Sequence, residues 1–262
     1  MPSRQRLDQL LVERGLADSR AKAQALVLAG VVFSGERRLD KPGQGVSADV
    51  PLEVRAPAIA YVSRGGVKLA QGLDQFGIDP AGLVALDIGA STGGFTDVLL
   101  RRGAERVYAV DVGHGQLDWR LRNHLKVIVL ERLNARDLTG EQVPEPIDLV
   151  VCDTSFISLK LVLPPALQLT HPNACLVALI KPQFEVGKGQ VGKGGVVRDP
   201  ALHQEVCAEI ARWLEEQQGW QVLGVTSSPI TGPKGNREFL IAARRGTASA
   251  GRPALANPSP FV

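Results

Sequence analysis

Five acids and two lysines of this 262-residue chain stand close to the ends of apolar runs. LDIGASTGGFTDVLL places Asp87 just ahead of Gly89, VYAVDV ends near Asp111, and NARDL puts Asp137 shortly after the run VIVL. VVCD closes on Asp153 and LVALIK on Lys181, while SRGGVKLA carries Lys68 and NREFL carries Glu238. A glycine-rich turn leaving a strand admits a ligand close to the backbone and aims the N–H groups of the next helix at it. A dinucleotide loop would read Gly-x-Gly-x-x-Gly; here Ser91 holds the middle position and an acid precedes the first glycine. That acid disfavours a pyrophosphate and suits a ligand bearing an ammonium and a sulfonium, S-adenosylmethionine. Asp111 is then placed to accept hydrogen bonds from two ribose hydroxyls, and Asp137 from the adenine amino group. Any one of these acids reads equally well as a helix cap or a solvated turn residue. Three of them at successive strand ends point to a nucleoside-bearing methyl donor.

A methyl donor leaves the acceptor open. A lysine ending the apolar run LVALI is costly to bury unless it is paired or neutral, the situation in which an amine can serve as a base. Lys68 and Lys181 near each other would lower each other's proton affinity, and Asp153 and Glu238 would raise it and hold them in place. Such a foursome suits proton removal from a weak acid such as a ribose 2'-hydroxyl. On single residues a plainer reading stays open: Lys181 extends its amine to water from a strand end, and Lys68 lies on a helix surface. Methylation of an exocyclic amine would call for an Asn-Pro-Pro-Tyr type loop, where this chain has Cys152, Asp153, Thr154 and Ser155. Methylation of a pyrimidine carbon would need a cysteine nucleophile, commonly after proline; Cys152 follows Val151 inside an apolar run and reads as core.

The elements that must position these groups form two blocks. RLDQLLVER spaces Leu7, Leu10 and Leu11 for a short helix ended by Gly15. A second helix, SRAKAQALVLAG, is capped by Asp18 or Ser19 and stopped by Gly30. VVFSGERRLD and VPLEV then predict a small sheet, completing a first domain over residues 1–54, with a linker at 55–60. Over residues 61–246 the runs VALDI, VYAVDV, VIVL, IDLVVCD and CLVALIKP are separated by helical patterns. WQVLGVTSS and EFLIAARR follow a long amphipathic helix from about Leu202 to Gln217. This predicts an α/β fold: a Rossmann-like, mostly parallel sheet covered on both faces, with a C-terminal antiparallel strand, preceded by a small α+β domain. Residues 247–262, TASAGRPALANPSPFV, are expected as a disordered tail.

Up to about residue 246, the stretches RLDQLLVERGLADSRAKAQALVLAGVV, YVSRGGVKLA, LDIGASTGGFTDVLL, VCDTSFISLK, IKPQFEVGKGQVGKGGVVRD and GPKGNREFL resemble the TlyA (hemolysin-A-like) family of ribosomal RNA 2'-O-methyltransferases. The resemblance implies an S-four type RNA-binding domain followed by a class I, FtsJ-like catalytic domain. It implies a Lys-Asp-Lys-Glu tetrad at Lys68, Asp153, Lys181 and Glu238. It also implies a cofactor loop over Gly89, Ala90, Ser91, Thr92 and Gly93, with Phe95 beyond it and Asp153 beside it. The implied substrate is a cytidine ribose of 16S rRNA, 23S rRNA or both.

A large RNA needs a surface outside the catalytic pocket. Arg4, Arg6, Arg14, Arg20, Lys22, Arg37, Arg38 and Lys41 stud the first block among interleaved acids, and Arg64 follows in YVSRGG. Arginines on helices and hairpins suit phosphates and the shape of folded RNA, although such residues also make ordinary solvated faces. Lys188, Lys193 and Arg198 lie in the glycine-rich stretch after Lys181, expected as a lid ordered by substrate or else a mobile surface loop. A formal net charge of +3 would not by itself argue for nucleic acid. With 44% hydrophobic residues the chain can bury a real core. Its three scattered cysteines make neither a disulfide framework nor a zinc cluster. No run nears the roughly 18 apolar residues of a membrane span. The expectation is a cytoplasmic protein without a metal or a membrane partner. Two competing readings are a hemolysin-like membrane-acting protein and an RNA-binding protein that holds the cofactor without turning it over.

Overall fold

The computed structural model describes residues 4–28, 30–54, 61–217 and 219–246, so the expected linker and tail lie outside the described residues. The chain divides into two compact units, residues 1–59 and 60–262.

The first unit contains β1 (Arg4–Arg6), α1 (Leu7–Glu13), α2 (Arg20–Leu28), β2 (Val32–Ser34), β3 (Arg37–Arg38), β4 (Gly45–Ser47) and β5 (Glu53–Val54). Gly15 and Gly30 adopt left-handed backbones just beyond the two helices, the conformation that ends a helix most cheaply with glycine. Ser19 Oγ accepts from Lys22 N at 3.2 Å, so the cap of α2 is Ser19 rather than Asp18. Where the sequence predicts one small sheet there are two. β1 pairs with β4, and β3, β2 and β5 form a three-stranded antiparallel sheet. β1 has arginine at two of its three positions and no apolar alternation; its pairing is set by the backbone of Gly45–Ser47. Leu7, Leu11, Ala23, Val27, Val32 and Leu39 are packed into one core.

The second unit runs α3 (Gly65–Phe76), β6 (Val84–Ile88), α4 (Gly94–Arg101), β7 (Arg106–Asp111), α5 (Trp119–Arg122), β8 (Val127–Glu131), β9 (Ile147–Cys152), α6 (Leu159–Gln168), β10 (Thr170–Ile180), α7 (Pro182–Glu185), α8 (Pro200–Glu216), β11 (Trp220–Ser227) and β12 (Phe239–Arg245). Its seven strands lie in the order β11-β12-β10-β9-β6-β7-β8. β8, β7, β6, β9 and β10 pair in parallel, and β12 pairs antiparallel with both β10 and β11. The predicted mostly parallel sheet with a reversed last strand is therefore present. Its continuous apolar strands are buried on both sides: Leu86, Ile88, Val150 and Leu176 enter one apolar cluster, while Ala85, Leu149, Val151 and Val177 enter another. α6 had no counterpart in the sequence pattern, because it contains Pro164 and Pro165, which remove backbone donors from a helix. Burial of Leu159, Val162, Leu163, Ala166 and Leu167 along its inner side offsets that loss.

Candidate active site

β6 ends in a turn that requires glycine at two points. Gly89 (φ +81°) and Gly93 (φ +96°) both have left-handed backbones. A Cβ at Gly89 would lie 2.8 Å from the Asp153 carbonyl oxygen, and one at Gly93 would lie 2.2 Å from Leu121 Cδ1. Ser91 is also left-handed, at φ 48°, and its N–H is held at 2.8 Å by Asp111 Oδ2. Asp111 Oδ1 accepts from Gly113 N at 2.6 Å, so both carboxylate oxygens are oriented by backbone donors. Asp87 is fully buried beneath this turn. Thr96 Oγ1 donates to its Oδ2 at 2.6 Å, while Oδ1 has no partner among the described residues. Burial pushes the Asp87 carboxyl up to about 7, opposed by the Thr96 bond and reinforced by the charges of Asp153 and Asp111.

Gly89, Ser91, Asp111, Asn134, Asp153 and Phe156 are among the residues lining a cleft of about 440 Å³, within the size range of small-molecule sites. Of the other predicted loop residues, Ala90 and Phe95 are buried in apolar clusters, and Thr92 is exposed with its carbonyl accepting from Asp118 N at 3.2 Å. The structure does not bring Asp137 to the cleft. It is exposed on the 3-10 turn Ala135–Asp137, and Asn134 lines the cleft instead. An amide offers both a donor and an acceptor, but the sequence pattern favoured an acid and passed it over. Nor does Asp87 line the cleft: it lies wholly buried behind it. S-adenosylmethionine fits the groups that do: an acid, Asp111, oriented by two N–H groups, the amide of Asn134, and a glycine turn that puts no side chain of Gly89 into the cleft.

The tetrad residues sit beside the cleft for a topological reason. β9 and β10 end at Cys152 and Ile180, whereas β12 runs the other way, so its start meets their ends; Ile180 pairs with Phe239. Asp153, Lys181 and Glu238 thus share one sheet edge. α3 supplies Lys68, and a Cβ on Gly65 at the start of that helix would lie 3.7 Å from Asp153 Oδ2. Lys181 Nζ is 2.5 Å from Asp153 Oδ1 and donates to Ser155 Oγ at 3.1 Å. Lys68 Nζ is 2.5 Å from Glu238 Oε2. With 8% and 7% exposure, Lys68 and Lys181 are not surface lysines, which overturns the plainer reading of both. Each pairs with its own acid, and removing one partner of such a buried pair leaves an uncompensated charge. Cys152 is fully buried with its thiol pushed up to about 12 by desolvation, so it is core, as expected, and no nucleophile.

Three polar residues that sequence reasoning missed tie the edge together. Ser155 touches Lys181, as above. Glu185 accepts from Ser158 Oγ at 2.6 Å and from Leu159 N at 2.9 Å, fastening the turn after Lys181 to the start of α6; the Phe184 and Phe156 rings meet nearby, with centroids 4.9 Å apart. Asn236 accepts from Val197 N at 3.2 Å and donates to Gly195 O at 3.0 Å, so the end of the glycine-rich stretch is folded onto GPKGN. In that stretch Lys193 and Arg198 are exposed, and Lys188 opens a 3-10 turn. In the first unit Arg4, Arg6, Arg20, Lys22, Arg37, Arg38 and Lys41 are exposed, as is Arg64 in the second. Arg14 is engaged within its own unit, donating to Val50 O and Ala48 O at 2.5 Å each.

The sequence profile of FtsJ-like methyltransferases matches residues 61–245. The chain belongs to the FtsJ-like methyltransferase family. An S4 domain matches residues 5–50. Among relatives of this FtsJ-like chain, the 16S/23S rRNA (cytidine-2'-O)-methyltransferase TlyA of Mycobacterium tuberculosis is 51% identical over 242 residues, covering 92% of this chain and 90% of that one. Hemolysin A of Brachyspira hyodysenteriae is 41% identical over 236 residues, covering 90% of this chain and 98% of that one. A solved hemolysin-named protein of Streptococcus thermophilus aligns with a TM-score of 0.73 at 38% identity, over 94% of this chain and 90% of that one. The cofactor of this FtsJ-like methyltransferase is S-adenosylmethionine.

Proposed function

We propose that this enzyme transfers a methyl group from S-adenosylmethionine to the 2'-hydroxyl of a cytidine ribose in ribosomal RNA, in the 16S molecule, the 23S molecule or both, within the cytoplasm. Residues 1–54 serve as the RNA-binding domain and residues 61–246 as the catalytic domain. The observation that carries this reading is the double ion pair, Lys181 with Asp153 and Lys68 with Glu238, at the sheet edge beside the cleft. Bound in the cleft, S-adenosylmethionine supplies an electrophilic methyl group on a sulfonium. Asp111 would take its ribose and Asn134 its adenine, while Asp87, buried beneath the turn, would set negative charge behind the place of its ammonium. Lys181, once it has released its own proton and stands as a neutral amine, accepts the proton of the substrate hydroxyl as the methyl group leaves the sulfonium, with Asp153 and Ser155 fixing the direction of the amine. Lys68, held by Glu238, sets a cation where negative charge grows on the ribose oxygen.

The hemolysin name of one relative raises a membrane-acting alternative. Among the described residues no helix is long and apolar enough to cross a membrane, and the family match spans the second unit as a methyltransferase. The deciding experiment supplies tritium-labelled S-adenosylmethionine with small subunits, large subunits and intact ribosomes, then maps the labelled nucleotide. Label on a ribose 2'-oxygen is expected. Label on a base, or none on any ribosomal RNA, overturns the proposal.

A further inference from the structure

Asp8, at the start of α1, is a fully buried acid in the unit assigned to RNA. Its carboxylate gathers three side chains. Arg6 donates from Nε to Oδ1 at 3.0 Å and from Nη2 to Oδ2 at 2.9 Å. Arg20 donates from Nε to Oδ2 at 3.0 Å, and Gln24 from Nε2 to the same oxygen at 2.9 Å. The two arginines come from different elements, the end of β1 and the start of α2, and their side chains stay 45% and 53% exposed. Because Arg20 reaches Asp8 through Nε, its two terminal nitrogens make no hydrogen bond among the described residues. Gly43 leaves space for the other member, since a Cβ there would come 3.2 Å from Arg6 Nη1. The hydrogen bond from Arg6, with those of Gln24 and Arg20, holds the Asp8 carboxyl well below the usual carboxylate range despite its burial, so it is ionised at any working pH.

We infer that Asp8 is a positioning residue of the RNA-binding surface, holding Arg6 and Arg20 as a preorganised pair of guanidinium groups for the phosphates of folded RNA. The inference rests on the reading that this unit binds ribosomal RNA. By charge alone an acid near a polyanion is unfavourable. It is retained where fixing two long, rotamer-rich side chains before binding outweighs the repulsion, since each such chain otherwise loses its freedom in the complex. The fork of arginine suits this use, because one edge can pair with the acid while the remaining donors stay available.

The test measures binding of the full chain to labelled ribosomal RNA over a potassium chloride series. Asp8→Asn adds one unit of positive charge, yet it is expected to weaken binding roughly tenfold, the scale of ordering two such side chains, and to make the salt dependence shallower. Arg6→Ala with Arg20→Ala is expected to weaken binding as well, and adding Asp8→Asn to that double variant should cost nothing more. Binding of Asp8→Asn as tight as the native chain or tighter, with the arginine variant weakened, overturns the role of Asp8. So does an unchanged tenfold cost of Asp8→Asn in the double-variant background, which would mark a purely structural acid. If the double arginine variant binds and responds to salt like the native chain, this face does not bind RNA, and the underlying reading fails first. Amide spectra check that the unit stays folded. Should Asp8→Asn lose the fold, Gly43→Ala presses on Arg6 while leaving the acid in place: a several-fold loss supports the inference, and unchanged binding overturns it.

Discussion

Lys181 is nearly buried, and its amine meets one carboxylate and one hydroxyl. Arginine at this position keeps the positive charge but cannot give up a proton at working pH, so it separates proton transfer from charge placement. Lys181→Arg and Lys181→Ala are both expected to reduce single-turnover methylation by about 10²- to 10⁴-fold at saturating cofactor, with cofactor and RNA affinity retained. Near-native turnover of the arginine variant would move the base to Lys68. Asp87 gives a second residue-scale expectation. Its folded carboxyl titrates at about 7 against an ordinary value of 3.8, so between those values the folded chain keeps a proton that the unfolded chain has released. The contribution of Asp87 to stability is therefore intact below about pH 4 and declines as pH rises towards 7, by on the order of 4 kcal/mol in all. Urea unfolding of the cofactor-free protein should show the native chain losing stability relative to Asp87→Asn across this window; parallel curves would refute the assignment. Cofactor affinity should rise over the same range in the native chain alone, because the ammonium prefers the ionised acid.

At the scale of elements, the turn between β6 and α4 can be tested against a neighbour with a similar backbone. Gly115 is left-handed at φ +69° but has open space around a Cβ, whereas Gly89 at φ +81° would drive one into the Asp153 carbonyl. Gly115→Ala should cost about 1 kcal/mol of backbone strain. Gly89→Ala should cost about 2 to 4 kcal/mol, because backbone cannot swing aside as a side chain can, and it should abolish cofactor binding. Thermal unfolding and calorimetry read both, and equal losses would show that conformation rather than contact governs the turn. The apolar runs VALDI, VYAVDV and IDLVVCD were legible as strands because burial on both faces leaves a continuous hydrophobic signature. β1 and α6 were not. The strand has no apolar residue to mark it and pairs through its backbone, and two prolines in α6 hide a helix that tertiary burial sustains. The site was legible unevenly for the same reason. Asp87, Asp111, Asp153 and Lys181 adjoin or end strands, but the split of the tetrad into two pairs depends on the reversal of β12. The choice of Asn134 over Asp137 depends on how the chain turns after β8. Asp8, Glu185 and Asn236 act through partners fixed only by the folded chain.

For the whole molecule, a formal charge of +3 over 262 residues says little about RNA, whereas the exposed basic residues of the first unit say where contact should be made. Arg20→Ala with Lys22→Ala should weaken binding to ribosomal subunits and lower the slope of log affinity against log salt by roughly 0.7 to 0.9 for each phosphate no longer neutralised. Cofactor affinity should not change. A native slope in this variant would place the RNA contacts elsewhere, on the basic residues that follow Lys181 or on Arg64.

The close approach of Gly89 to the Asp153 carbonyl also bears on how far the enzyme could be retooled. Synthetic donors carrying allyl or propargyl groups in place of methyl need extra room, usually made by trimming a side chain. On the turn itself there is no side chain at Gly89 to trim, and its backbone is packed against the carbonyl of Asp153, the acid paired with Lys181. Space for a bulkier transferable group has to be carved from the apolar residues of the cleft, with Leu133, Ile157 and Val162 as the positions to shorten.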